Sequence, residues 1–131
     1  MLPHTADTRI EAWAPTLAGC LAGAVRALVE SFADVGRAES RAVHTVRVLP
    51  GPPGDQLVDA LEEVIYLLDT SGRVPCRVEA GQDGGGVWLE LGMADVEAVS
   101  QTGAVPKAVA LHGLRFARRA GEWRCVVTVD V

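Results

Sequence analysis

Apolar and polar side chains alternate along Thr8–Ala14, TRIEAWA, placing Ile10 and Ala12 on one side and Arg9, Glu11 and Trp13 on the other. That two-residue period predicts a short, half-buried strand. From Pro15, which suits a first helical position, the period changes. Leu17, Leu21, Ala24, Val25, Leu28, Val29 and Phe32 fall at helical spacing and predict a helix over Pro15–Ala33, ended by Gly36 and its polar neighbours. Arg41–Pro50 returns to alternation, with His44, Val46 and Val48 sharing a face. The Gly-Pro-Pro-Gly break at 51–54 follows. A second helix is expected from Asp55, where an acid suits the positive end of the helix dipole, with Leu57, Leu61, Val64, Ile65 and Leu68 as its apolar stripe and Asp69–Gly72 as its stop.

The second half reads as strands. Val74–Ala80 and Val87–Met93 form a hairpin about the Gly-rich stretch 81–86, and Lys107–Arg119 and Glu122–Val131 form another about Ala120–Glu122. Ala94–Val105 has no period and is expected to be a loop. In the last strand Trp123, Cys125, Val127 and Val129 share one face, and Arg124, Val126, Thr128 and Asp130 the other. The order β-α-β-α followed by four or more strands predicts one α+β domain over residues 1–131, a two-layer sandwich with two helices packed on a largely antiparallel sheet.

Composition supports this. A chain of 131 residues with 49% hydrophobic and 22% charged residues can bury a core. The net charge of −5 argues against a protein that neutralises a nucleic-acid backbone, so no direct nucleic-acid binding is expected. Cys20, Cys76 and Cys125 are odd in number and lack metal-type spacing; they read as small core hydrophobes in a reducing compartment. With no leader and no membrane-length apolar run, the expected location is the cytoplasm and no membrane partner is expected.

The candidate chemistry lies at the two ends. Asp7, in MLPHTADTRI, has the ordinary role of a turn or capping acid. Its alternative is an oxygen ligand for a hard cation. Asp130 has the ordinary role of a solvated terminal acid, but the apolar run before it predicts a strand end that is tied down. With the terminal carboxylate of Val131, two aspartates would suit Ca²⁺ or Mg²⁺ and would suit Zn²⁺ less. His4 lies in the same turn as Asp7 and could orient it. Lys107, after Pro106, is a solvated edge charge or a partner-facing residue. His112 precedes a glycine and is more readily structural than a general base. No Ser-His-Asp, Cys-His or phosphate-cradling pattern is present, and a paired-carboxylate protease or glycosidase site has no positive support.

Four blocks then align, in order, with one family. His-Thr-Ala-Asp at 4–7, LEEVIYLLDT at 61–70, PKAVALHGL at 106–114 and GEWRCVVTVDV at 121–131 resemble the archeases over nearly the whole chain. The resemblance implies an α+β fold and a non-enzymatic accessory protein that promotes guanylylation of the RNA-splicing ligase in tRNA splicing, allowing multiple turnovers. It implies a divalent metal, calcium first with magnesium or manganese as alternatives, held by Asp7, Asp130 and Val131. Lys107 and His112 match a family block and take a site-supporting or partner-facing role. Thr8 and Arg9 depart from the family pattern, as does the shortened segment before Lys107. A small metal-dependent hydrolase and a chaperone-like module with another client are the competing readings.

Overall fold

The computed structural model describes residues 7–131. In chain order these form β1 (Asp7–Ala14), α1 (Leu17–Glu30), β2 (Ala33–Asp34), β3 (Ala42–Val48), α2 (Pro53–Ser71), β4 (Arg73–Asp83), β5 (Gly86–Asp95), a 3₁₀ turn (Val96–Ala98), β6 (Ser100–Gln101), β7 (Ala108–Arg119) and β8 (Glu122–Asp130). The α+β class with two helices against antiparallel strands is as expected. The strands divide into two three-stranded sheets, ordered β1-β8-β7 and β3-β5-β4, and a two-stranded pair, β2-β6. Both helices touch both larger sheets: α1 lies on β1 and β8 and also on β4 and β5, and α2 lies on β7 and also on β3 and β4. Among the described residues no helix is long and apolar enough to cross a membrane.

Contact with both sheets explains the composition of α1. A helix packed on one side needs a single apolar stripe. Here Ala18, Cys20, Leu21, Ala22, Ala24, Val25, Leu28 and Val29 are all buried. Small residues let the helix ride close to β1: a Cβ on Gly19 would stand 3.2 Å from that of Ala14, and one on Gly23 3.3 Å from that of Ala12. The helix is shorter than its periodicity suggests. Thr16 caps it, its Oγ1 accepting the Gly19 N–H at 3.0 Å, so Pro15 lies outside. At the other end the chain leaves the helix at Ser31. Phe32 is therefore buried by the turn that follows the helix rather than by the stripe.

The α2 helix begins two residues before the expected Asp55, because Pro53 provides the fixed φ of a first turn. It carries the one fully buried polar side chain in the described core, Gln56. Gln56 Nε2 donates to the carbonyls of Leu49 (3.0 Å) and Gly85 (3.3 Å), tying the helix to the end of β3 and to the β4–β5 turn. Gln56→Ala leaves both carbonyls without this donor. It is expected to lower the unfolding free energy by about 2–3 kcal/mol, read from the urea midpoint; a loss below about 0.5 kcal/mol, the range of ordinary surface changes, would show that the bonds are idle.

Two expectations need correction. The Gly-rich stretch 81–86 is mostly strand: the β4–β5 ladder continues to Asp83↔Gly86. Only Gly84 and Gly85 turn, at φ of 59° and 86°, the pair of positive values a two-residue hairpin needs. Second, Ala94–Val105 is not simply a loop. Ala94 and Asp95 extend β5, Val96–Ala98 makes the 3₁₀ turn, and β6 pairs with β2 in the register Ala33↔Gln101 and Asp34↔Ser100. Two-residue strands have no period of their own and exist only by their distant partner.

Candidate functional site at the β1–β8 ends

The last pair of the β1–β8 ladder is Asp7↔Asp130, and Ala108 opposes Asp130 from β7 on the other side. Residues directly opposed across antiparallel strands share a sheet face, with Cβ atoms roughly 4.5–5.5 Å apart. Ile10 and Ala12 of β1, and Cys125, Val127 and Val129 of β8, are buried toward the helices. Alternation then sends Asp7 and Asp130 to the opposite face. Asp7 is exposed, and Asp130 and Val131 are half-buried. The Asp130 carbonyl accepts the Lys107 N–H at 2.7 Å, which fixes the end of β8 against the start of β7. The apolar alternation of RCVVTVDV foreshadowed that anchoring.

Among the described residues neither carboxylate makes an ion pair or a side-chain hydrogen bond. Like charges facing each other across a sheet destabilise it. A bound cation would relieve that repulsion. Among the described residues no group of three or more His, Cys, Asp or Glu side chains converges as a metal cage. The donors available here are two aspartates and the oxygens of Val131.

The other candidates separate. His4 lies outside the described residues. His112 falls in a wide bulge of β7: pairing with β8 stops at Ala110↔Thr128 and resumes at Arg115↔Val126. Gly113, at φ 78°, makes the bulge feasible. His112 is thus beyond the row that holds Asp7 and Asp130, and it is exposed. Lys107 lines a surface groove of about 610 Å³ whose walls include Glu62, Tyr66 and Asp69 of α2 with Val105 and Pro106. Sequence reading did not select those α2 residues. The available signal was Tyr66, an aromatic residue off the apolar stripe and 60% exposed, with Glu62 and Asp69 at i−4 and i+3 on the same polar face. His44 is accounted for by its contact with Glu63, 3.4 Å away.

Two of the three thiols are core groups, as expected, and Cys76 is not. Cys20 and Cys125 are fully buried with their sulfurs 3.7 Å apart. The hydrogen bond shared with Cys20, together with burial, pushes the Cys125 thiol up, away from thiolate formation. Cys76 is partly exposed and contacts the Gly92 carbonyl at 3.3 Å.

Comparison with known proteins identifies the family and the fold. Residues 1–131 match the Archease protein family (MTH1598/TM1083). Two curated relatives, each named "Probable protein archease" and each from a strain of Mycobacterium tuberculosis, CDC 1551 and H37Rv, are 50% identical over 132 residues, covering 99% of this chain and 73% of theirs. Two solved structures share the fold. One is the Thermotoga maritima crystal structure described as an archease, "possible chaperone", with TM-score 0.74 and 19% identity, covering 100% of this chain and 95% of that one. The other is the solution structure of Methanobacterium thermoautotrophicum protein 1598, with TM-score 0.76 and 21% identity, covering 99% and 96%. By the match over its whole length and by its identity to these relatives, the chain belongs to the archease family.

Proposed function

We propose that this protein is a non-enzymatic activator of an RNA-splicing ligase, promoting ligase guanylylation and multiple turnover in tRNA splicing and RNA repair. The observation that supports it most is the facing of Asp7 and Asp130 at the end of the β1–β8 ladder, beside Lys107. The donors fit a hard cation: carboxylate oxygens only, with Ca²⁺ ahead of Mg²⁺ or Mn²⁺. Asp7, Asp130 and Val131 would hold the ion. They are too few to fill its coordination sphere of about 6–8 oxygens, so positions stay open to water, a phosphate oxygen or a carboxylate of the partner. When bound, the ion would supply positive charge at the acidic end of this sheet face. Lys107 supplies a second, fixed positive charge at the rim of the neighbouring groove, where a partner can reach it.

The test is a turnover assay with the ligase from the same organism. Adding this protein should convert a reaction limited to about one ligation per ligase molecule into repeated turnover, with more guanylylated ligase at steady state. Unchanged turnover across Ca²⁺, Mg²⁺ and Mn²⁺ overturns the reading. The description of the Thermotoga protein favours a second reading, a chaperone-like module with another client. That reading predicts that the protein keeps its own client soluble and leaves ligase turnover unchanged.

A further inference from the structure

The face that carries Asp7 and Asp130 changes sign along its length. Past the row of Asp7, Asp130 and Ala108 come Arg9, Thr128 and Ala110, then Glu11, Val126 and Arg115, then Trp13, Arg124 and Ala117. The closing pair of the β7–β8 ladder is Arg119↔Glu122. Arg115, Arg119 and Arg124 lie on this face and are exposed, and the exposed Arg118, opposite Trp123, belongs to the other face. Among the described residues none of the four enters an ion pair, whereas the neighbouring Glu11 is engaged by Arg9 at 2.8 Å. From Arg115 to Arg124 the chain holds four arginines and one acid, Glu122, in a protein of net charge −5. The whole-chain charge therefore conceals a local basic end.

An aromatic ring sits in the middle of it. Trp13 is 58% exposed, and the Arg124 guanidinium lies over the ring at 5.6 Å from its centroid. The arginine covers part of the indole and leaves the rest to solvent. Phosphates need cations, and unpaired bases need flat apolar or cationic surfaces; this patch presents both on one sheet face. A duplex would satisfy the arginines but leave the indole unused, because its bases are already stacked and paired. An acidic protein surface would likewise use the charges and gain little from the ring.

We propose that the outer face of the β1-β8-β7 sheet, centred on Trp13 and Arg124 with Arg115 and Arg119, binds single-stranded nucleic acid. This inference is independent of the ligase reading and reverses the expectation drawn from net charge. Arginines provide the phosphate contacts and Trp13 stacks on a base; the acidic end of the same sheet limits the strand to a short footprint.

The experiment uses the full chain and labelled oligonucleotides of uridine or adenosine, about a dozen nucleotides long, in fluorescence anisotropy at about 50 mM salt. Saturable binding is expected, with Trp13 quenched relative to a Trp13→Phe protein. If three phosphates are neutralised, the log–log salt slope should be about −2. Trp13→Ala should weaken binding about tenfold and Trp13→Phe much less. Arg115→Glu with Arg124→Glu should weaken it at least tenfold, with thermal melting reporting that the variants fold. No saturable binding by folded protein overturns the proposal. So does equal affinity for heparin with no effect of Trp13→Ala, which would mean a polyanion or acidic-protein surface, and so does preference for duplex over single strand.

Discussion

Asp130→Asn is expected to abolish stimulation of ligase turnover while leaving the protein as stable as before, or more so. The two halves of that result have separate causes. On the functional side, one of two facing carboxylates is removed from the proposed site, whose other donors would be Asp7 and Val131. Changing a group that merely orients a metal ligand typically costs about 10–100-fold in metal affinity. Losing a charged ligand outright should cost at least about 100-fold, enough to empty the site at working cation concentrations. On the stability side, Asp7 and Asp130 repel across the ladder, and cross-strand terms of this kind are worth about 0.2–1 kcal/mol. Asparagine removes the repulsion without changing the shape. Asp7→Asn should behave the same way. The measurement is turnover together with thermal melting, with and without Ca²⁺. For the parent protein, cation at about 100 times its dissociation constant should raise the unfolding free energy by about 2.7 kcal/mol, and this rise should vanish in both variants. Full stimulation by both variants rejects the carboxylate site. Lost stimulation accompanied by a large fall in melting temperature would assign the residues to folding instead.

Phe32→Ala should give the opposite profile, a severe loss of stability from a residue that supplies no donor to that site. Phe32 is 1% exposed and among the largest fully buried side chains. Truncating such a ring costs about 3–5 kcal/mol through lost burial and the cavity left behind. Its backbone, which the substitution leaves in place, holds the same junction together. The Phe32 carbonyl accepts the Thr102 N–H at 2.8 Å, and this docks the β6 segment onto the end of α1. A Cβ on Gly103 would collide with the Ser31 carbonyl, so the two segments meet with room for no side chain between them. For a domain of this size the melting temperature should fall by roughly 10–20 °C. A fall of less than about 4 °C, the scale of 1 kcal/mol in such a domain, would mean that the ring is replaceable. Because the β2–β6 pair consists of two residues per strand, it is expected to lose hydrogen-exchange protection more than β8 does.

The long periodic segments were legible because their pattern is local. Ile10 and Ala12, Leu57, Leu61 and Val64, and Cys125, Val127 and Val129 all face the core as their spacing predicts. The end of α1 was less legible, since Phe32 continues the apolar period after the helical backbone has stopped. Gln56 was not readable as buried, because its burial depends on the Leu49 and Gly85 carbonyls, brought to it by chain reversals. The β2–β6 pair was invisible for the same reason. At the candidate site, two acids 123 positions apart form no motif, and their pairing came from family resemblance. The ladder register supplies the physical part: opposition on one face. The basic end was hidden by averaging, since net charge does not record that four arginines lie within ten residues.

The β1–β8 pairing also has a consequence in time. During synthesis β1 precedes the other described elements, yet its ladder partner emerges more than a hundred residues later. Until then β1 offers an open strand edge, and closing so long a loop is a slow step in folding. A slip of one residue at that closure would turn Asp130 toward the helices and Val129 outward. The two acids therefore stand side by side only in a chain whose last strand has seated in the correct register. A partner that grips both carboxylates distinguishes finished molecules from unfinished ones without any separate inspection.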